Sequence, residues 1–297
     1  MIALIGFVVV VASVLGGFSM AGGKIPTLFH VSEFLVVGGT AIGTVIVSTP
    51  IPVLKSLGSS LAAMVRPSPF TRGLYLDALK MMFELFQTAQ RDGLVAIESH
   101  VEAPQKSALL GKYPSVLRHH EAVTYLCDSL RLVLIGSVPP HDLEALLEDE
   151  IEVHHEQELR PVAALQKVGD ALPGIGIVAA VLGIVVTMST INGPVEQVGE
   201  HVAAALTGTF LGVFLAYGVF GPIATSLEHG KGAEARFYHF LKAGVVAVAK
   251  GSTPIVAVEF ARRAITGDQR PTFNEMEAAC KSLKSRRSGQ DQVAKAA

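Results

Sequence analysis

The sequence is poor in charge and in several side chains that are common in soluble domains. Only 17% of its 297 residues are charged, tryptophan is absent, and just two cysteines occur. Half of the residues are hydrophobic, and the mean hydropathy is +0.46. This composition excludes a single soluble domain and favours a chain that folds in a membrane. The formal net charge of −2 gives no reason to expect a nucleic-acid partner.

The sequence also lacks the common signatures of covalent chemistry. It contains no P-loop, no G-x-S-x-G and no paired C-x-x-C motif. A nucleotide-driven pump or a hydrolase therefore has no supporting residues. We predict that the protein is not an enzyme and uses no cofactor. Cys127 and Cys280 fall in segments assigned below to the cytoplasm, where thiols stay reduced and no disulfide is expected.

Two histidine-rich segments come closest to a metal site. Residues 118–121 read RHHE, and residues 154–156 read HHE. Glu152 and His155 have the i, i+3 spacing that carboxylate-bridged metal sites use, but such sites need a second pair and further glutamates. A solvated helix face explains a single pair more simply. We therefore predict no metal ligands.

Long uncharged stretches indicate four transmembrane helices. Charged residues bracket four such stretches, at residues 1–23, 34–54, 171–195 and 201–227. About 20 apolar residues are enough for a helix to cross a bilayer. We predict an all-α fold: a polytopic membrane protein with four transmembrane helices, arranged as two hairpins, and a helical cytoplasmic domain.

The distribution of lysine and arginine predicts the orientation in the membrane. Of 24 such residues, 11 lie between Lys55 and Lys167, 12 lie after residue 228, and only Lys24 lies in the short loops. Because positive loops stay in the cytoplasm, both large polar segments are expected there. The predicted domains are a transmembrane hairpin at 1–54 with a cytoplasmic N-terminus, a cytoplasmic helical domain at 55–170, a second hairpin at 171–227, and a cytoplasmic helical tail at 228–297.

Helical periodicity continues outside the membrane. Apolar residues recur at helical spacing between Leu74 and Phe86. Asp142 is expected to cap an acidic helix that ends near Arg160, and residues 228–266 are expected to be helical.

Small residues form one stripe on each of the last two spans. On the third span, positions 173, 176, 180, 183, 187 and 190 are Pro, Gly, Ala, Gly, Thr and Thr. On the fourth, the stripe contains Ala205, Thr209, Gly212 and Ala216. Small stripes allow two helices to approach closely. The alternative is a water-lined ion path, since polar groups and broken backbone are tolerated where they line a cavity.

Two prolines and one absence favour the ion path. Pro173 and Pro222 lie near the same end of their antiparallel helices, and each removes a backbone donor, which offers a hinge. Pro173 alone is equally compatible with an ordinary first residue of a helix. An ion path normally needs an ionisable group within the membrane, and none of the four stretches contains Asp, Glu, Lys or Arg. A partner would then have to supply the carboxylate.

The chain resembles a known family over nearly its whole length. The segments that carry the resemblance include GGFSMAGG, VVGGTAIGT, YLDALKMMFELF, GDALPGIGIVAAVLGIV, LTGTFLGVFLAYGVFGPIAT and PIVAVEFARRAI. They are similar to the MotA family, the larger subunit of the bacterial flagellar stator. The resemblance implies a homopentamer of four-span subunits around a MotB-type partner, whose single span carries an ion-binding aspartate and whose periplasmic domain grips peptidoglycan.

The resemblance also assigns residues to the ion path. Pro173 and Pro222 match the two prolines that couple ion binding at the partner's aspartate to motion of the cytoplasmic domain. Thr209 matches a hydroxyl that faces the path. Ala180 lies where sodium-driven relatives tend to carry threonine and proton-driven ones alanine, so the implied ion is H⁺.

A second set of residues is implied at the interface with the flagellar rotor. Glu98 matches a glutamate that pairs with the rotor switch protein, of the FliG type, and Glu150 matches a supporting acid. The family commonly places an arginine eight residues before the glutamate, where this chain has Gln90. We expect the neighbouring Arg91 to serve instead, because charge at a solvated interface tolerates small displacements.

Two other functional classes are alternatives for a chain of this kind. The ExbB or TolQ type shares the last two spans and energises outer-membrane transport or envelope integrity. Such proteins usually have three spans and an outward N-terminus, and the hairpin at residues 1–54 argues against them. A small-molecule transporter predicts inverted repeats and polar sites within the membrane, and we find neither in the sequence.

Overall fold

The computed structural model describes residues 2–64 and 67–283, with side chains from residue 5 onward. Within these ranges the chain is helical and contains no strand, which confirms the predicted all-α class. The α-helices are α1 (Ile2–Met20), α2 (Val31–Ser48), α3 (Ile51–Met64), α4 (Arg72–Asp92), α5 (Glu98–Glu102), α6 (Pro114–Leu117), α7 (His120–Ile135), α8 (Pro140–Ser189), α9 (Val195–Phe214), α10 (Gly221–Ala249) and α11 (Pro254–Ala264). A π-helical turn, Leu215–Phe220, joins α9 to α10, and residues 273–283 are also helical.

The chain divides into two compact units. The first contains Met1–Pro67 and Gln157–Lys231, and the second contains Ser68–Glu156 and Gly232–Ala297. The boundaries differ from the four predicted segments, because residues 55–67 and 157–170 belong to the first unit. Helices α8 and α10 contribute residues to both units.

Within the described residues, three helices are long and apolar enough to cross a membrane. They are Val31–Ser48, Pro140–Ser189 and the continuous helix Val195–Ala249. The described side chains of α1 form a shorter apolar helix, Ile5–Met20. The predicted second stretch, 34–54, differs from the helix on which it falls: α2 begins at Val31 and stops at Ser48, before Thr49 and Pro50 interrupt the helix.

Helix α8 is longer than predicted. It begins at Pro140, so Asp142 lies in its first turn and is not the cap that we expected. It also does not end near Arg160, but continues through Pro161 and Pro173 to Ser189. A proline inside a helix removes one hydrogen bond without necessarily ending it, provided that packing holds the two sides together. Here the residues after Pro161 are buried in the first unit, in a cluster that contains Leu57, Val162, Leu165, Ala224 and Leu227.

The predicted helix at residues 228–266 is interrupted once. Helix α10 ends at Ala249, and Gly251 adopts a positive φ of 81° that L-residues rarely tolerate. The Ser252 N–H donates to the Ala247 carbonyl, which satisfies an orphan acceptor of the last turn. Thr253 and Pro254 then start α11 in a new direction.

The second unit has a core of aromatic and aliphatic side chains. Phe86, Phe237 and Phe240 are almost completely buried, and Tyr75 packs edge-on against Phe240 with ring centroids 5.2 Å apart.

Both cysteines lie in the core of the second unit. Burial raises the pKa of Cys127 to about 11 and that of Cys280 to about 12. Both thiols therefore stay protonated and unreactive at neutral pH.

Candidate functional site

The membrane-spanning parts of α8 and α9 touch through their glycines. A Cβ added at Gly212 would lie 2.5 Å from the Leu172 carbonyl oxygen and 2.9 Å from the Gly176 Cα. A Cβ at Gly183 would lie 2.7 Å from the Cβ of Ala205. These separations leave no room for a side chain, so small residues are what allow the two backbones to meet.

The small stripe of α8 therefore faces the protein, as its spacing predicted. On the opposite side, Val178, Leu182 and Val185 are each at least half exposed, whereas Ile175, which the helical spacing also places there, is buried. Close packing accounts for Gly176 and Gly183 on the stripe. Ala180 lies on the same stripe and is partly buried.

Thr209 places a hydroxyl at the contact between α8 and α9. Its Oγ1 points towards the Gly176 carbonyl oxygen at 3.5 Å, a long and weak hydrogen bond. The hydroxyl is therefore held near a backbone carbonyl at membrane depth and is still able to bond to a stronger partner.

The two prolines lie at facing, weakened turns. Pro173 is inside the 50-residue helix α8 and cannot be a first helical residue, so its missing N–H leaves the carbonyl of Gly169 without its usual donor. A Cβ at Gly169 would lie 3.5 Å from the Cβ of Phe220 and 3.9 Å from the nitrogen of Gly221. The weakened turn of α8 thus packs against the residues immediately before Pro222.

Pro222 is separated by one residue, Gly221, from the π-helical turn Leu215–Phe220. The Gly221 N–H donates to the carbonyl of Ala216, five residues earlier, whereas Pro222 has no N–H to donate to Gly218. The wider π turn gives the proline ring room that a regular α turn would not, and such turns are frequent at functional sites. Both helices therefore lack a regular hydrogen-bonding pattern at the same level.

Glu33 is a buried acid at the border of the predicted second span. It lies in the first turn of α2, is only 5% exposed, and packs against α9, where a Cβ at Gly208 would meet its Oε2 at 2.5 Å. That oxygen has no hydrogen-bond partner among the described residues. Glu33 is the charged residue that precedes the predicted second span. Its fit against Gly208 depends on which face of α9 meets α2, and a single sequence does not show that face.

The residues assigned to the rotor interface lie at the loop between α4 and α5. Gln90 and Arg91 end α4, and Glu98 begins α5; all three are exposed. The guanidinium of Arg91 donates two hydrogen bonds to the carboxylate of Asp92, at 2.8 and 2.9 Å. In the sequence, Val95 lies between Arg91 and Glu98, and its side chain is 77% exposed. The loop thus presents an apolar side chain between groups of opposite charge.

Glu150 lies apart from that loop in the sequence, on α8. It lines a cavity of about 280 Å³ together with His154 and Tyr125. Partial burial raises the pKa of Glu150, and the nearby charge of Asp128 raises it further, while His154 lowers it. Glu150 therefore lies in the wall of a cavity.

Models of two protein families match the chain. "Motility protein A N-terminal" matches residues 4–93, and "MotA/TolQ/ExbB proton channel family" matches residues 119–236. The second match includes the weakened turns at Pro173 and Pro222 and the glycine contact between α8 and α9.

Curated relatives and solved structures agree with these matches. The chain is 32% identical to Motility protein A of Salmonella typhimurium, covering 96% of each chain. It is 35% identical to Chemotaxis protein LafT of Vibrio parahaemolyticus, covering 92% of this chain and 96% of the relative. The solved MotAB structure of C. jejuni superposes with a TM-score of 0.72 at 21% identity over 90% of this chain and 96% of that one, which shows the same fold. The MotAB stator complex of Bacillus subtilis gives 0.69 at 21% identity, over 86% and 92%.

The first family model spans α1 and α2, the early hairpin that the sequence analysis used to separate this chain from the ExbB and TolQ type. Three observations support one assignment: the hairpin, the glycine contact between α8 and α9, and 32% identity to a motility protein A over 96% of the chain. The chain belongs to the motility protein A branch of the MotA/TolQ/ExbB proton channel family.

Proposed function

We propose that this protein is a stator subunit of the flagellar motor, which passes protons across the inner membrane with a MotB-type partner and converts their flow into torque on the rotor. The observation that carries the proposal is the pair of weakened turns at Pro173 and Pro222, which face each other in a member of a proton channel family. A break in both helices at one level is a natural place for motion to start.

The need for a partner rests on the absence of an acid from the four predicted stretches and on the family. The buried Glu33 borders the second stretch. Solved relatives are MotAB complexes, one of them described as a stator complex. A homopentamer around a MotB-type subunit is the assembly that we carry to this chain, with both polar segments in the cytoplasm, as the lysine and arginine distribution predicts.

In the proposed mechanism the partner's aspartate takes up and releases the proton. Thr209 lies where a hydroxyl can exchange its weak bond to Gly176 for one to that group. Pro173 and Pro222 let the helices bend when the contact changes, and Arg91 and Glu98 pass the motion to the rotor switch protein. Ala180 offers no hydroxyl to help coordinate sodium, which supports H⁺ as the ion.

The first test is motility in the source bacterium. In a strain without any other stator genes, deletion of this gene should leave flagella in place but stop their rotation, measured with tethered cells. Restoring the gene should restore rotation, which should persist in sodium-free medium because protons drive it. Rotation that survives the deletion would contradict the stator function, and loss of outer-membrane uptake with normal rotation would favour the ExbB or TolQ type.

A second test concerns the loop between α4 and α5. Reversal of Glu98 to lysine should weaken engagement with the rotor and reduce swimming in soft agar, and reversal of Arg91 to glutamate should do the same. Each effect should be partial, because one exposed ion pair contributes about 0.2–1 kcal/mol. Reversal of Glu156, an exposed carboxylate on α8, serves as the matched control and should leave swimming unchanged. If the double variant with Glu98→Lys and Arg91→Glu swims normally, the interface lies elsewhere.

A further inference from the structure

Three helices of the second unit bring together side chains that can bind a metal ion. Glu121 comes from α7, His154 from α8 and Glu234 from α10, and their ligand atoms all lie within 4.8 Å of one another. They stand beside the cavity of about 280 Å³ described above, which both Glu121 and His154 line. We propose that this cluster binds a divalent transition-metal cation of the zinc type.

His154 is the group that most needs a partner. Its Nε2 is buried, and within residues 67–283 nothing forms a hydrogen bond with it. The nearest carboxylate oxygen, Oε2 of Glu121, is 4.0 Å away, too far for a hydrogen bond. A buried polar atom without a partner is uncommon in native proteins and calls for a physical reason. A cation between the imidazole and the carboxylates would satisfy it.

The orientation of the His154 ring is fixed by packing. Its centroid lies 4.8 Å from that of Tyr238, with the two planes tilted by 46°. Tyr238 lies one turn beyond Glu234 on α10. The same helix thus supplies one ligand and holds another in place, which is how binding sites keep their geometry before the ion arrives.

The distances fit a metal after one small movement. Zinc binds imidazole nitrogen and carboxylate oxygen at about 2.0–2.2 Å, so two ligand atoms at a tetrahedral angle lie about 3.4 Å apart. The separation of 4.0 Å between Glu121 and His154 exceeds this by about 0.6 Å, and no pair in the cluster exceeds it by more than about 1.4 Å. The side chain of Glu121 is 74% exposed and free to move inwards, whereas His154 is 26% exposed.

The ligand types select the class of ion. Imidazole favours zinc, iron, nickel or copper over magnesium and calcium, which prefer oxygen alone. Two glutamates and one histidine leave a fourth position for water or for another group of the cavity wall, such as Glu150. The i, i+3 pair of Glu152 and His155 lies on one helix and is not part of the cluster, whose ligands come from three helices.

Binding should be measured on the full-length chain in complex with its partner. The complex is purified in detergent through an affinity tag without histidine, stripped with EDTA and titrated with Zn²⁺ by calorimetry. Titration with Co²⁺ in parallel reports ligand geometry through its visible absorption. We expect one Zn²⁺ per copy of this chain, and a Co²⁺ spectrum that Zn²⁺ abolishes.

Three variants test the ligands. His154→Gln should weaken Zn²⁺ binding by more than about 100-fold, because loss of a ligand exceeds the 10–100-fold cost of losing an outer partner. Glu121→Gln should also weaken it, and this exposed position leaves the fold intact. His155→Gln is the control on the same helix and should bind like the unchanged protein.

Two results would overturn the proposal. One is the absence of saturable Zn²⁺ binding by the unchanged complex. The other is equal Zn²⁺ affinity in Glu121→Gln, His154→Gln and His155→Gln. Neither outcome depends on rotation, so the stator function is tested separately.

Discussion

Replacing Gly212 by alanine should abolish most swimming, although the change adds a single methyl group. The new Cβ would lie 2.5 Å from the carbonyl oxygen of Leu172 and 2.9 Å from the Cα of Gly176. Both are backbone atoms of α8, so no side chain can rotate away and the two helices must separate. Overpacking of this kind costs about 1–3 kcal/mol. Soft-agar swimming and the amount of chain recovered with its partner from membranes measure the effect.

Gly199 provides the matched control for this substitution. It lies on the same helix, α9, and a Cβ there meets nothing within 4 Å. Gly199→Ala should therefore swim and assemble normally. If Gly212→Ala does the same, the close contact between α8 and α9 is not needed for function.

Replacing Pro173 by alanine should stop rotation without harming the fold. Alanine restores the N–H that can bond to the Gly169 carbonyl, and it is about 3 kcal/mol more favourable than proline inside a helix. The variant complex should be at least as stable as the unchanged one, measured by its thermal midpoint in detergent, while tethered cells stop rotating. Gain of stability with loss of function is what a hinge predicts, since a purely structural proline gives no such pair of results.

Pro161 is the control for the second substitution. It lies in the same helix, α8, twelve residues earlier, and it is buried away from the turn that faces Phe220. Pro161→Ala should restore a hydrogen bond in the same way and keep rotation. If Pro173→Ala rotates normally with normal proton flux, Pro173 has no part in coupling.

The four uncharged stretches fall on helices of the structure, because a segment in lipid must satisfy its backbone hydrogen bonds internally. The bounds of the stretches differ from those of the helices. Charge marks residues that are costly in lipid, but a helix starts where the backbone can be capped, and α2 includes Glu33 because Gly208 of another helix leaves space for its carboxylate. Similarly, Pro161 resembles a stop signal, yet α8 continues because Val162 and Leu165 beyond it are buried.

The sequence likewise predicts the parts of the candidate site that lie on one helix better than the parts that combine several helices. Residues on one helix were grouped correctly, since the stripe of α8 follows from its 3.6-residue period and small residues. Sets drawn from several helices were not: Glu121, His154 and Glu234 belong to three helices that are distant in sequence. Only tertiary packing brings them within reach, and the packing is decided by the aromatic core around Phe237 and Phe240.

The π turn at Leu215–Phe220 gives the fourth span a spare residue. A turn with i to i+5 hydrogen bonds takes in one residue more than an α turn, so the segment from Val195 to Ala249 is longer than a uniform helix between the same end points would require. Deleting one residue there would shorten the chain and yet leave the side chains on either flank pointing in the same directions. The additional residue lies next to Pro222, where the α-helical hydrogen-bonding pattern is already interrupted.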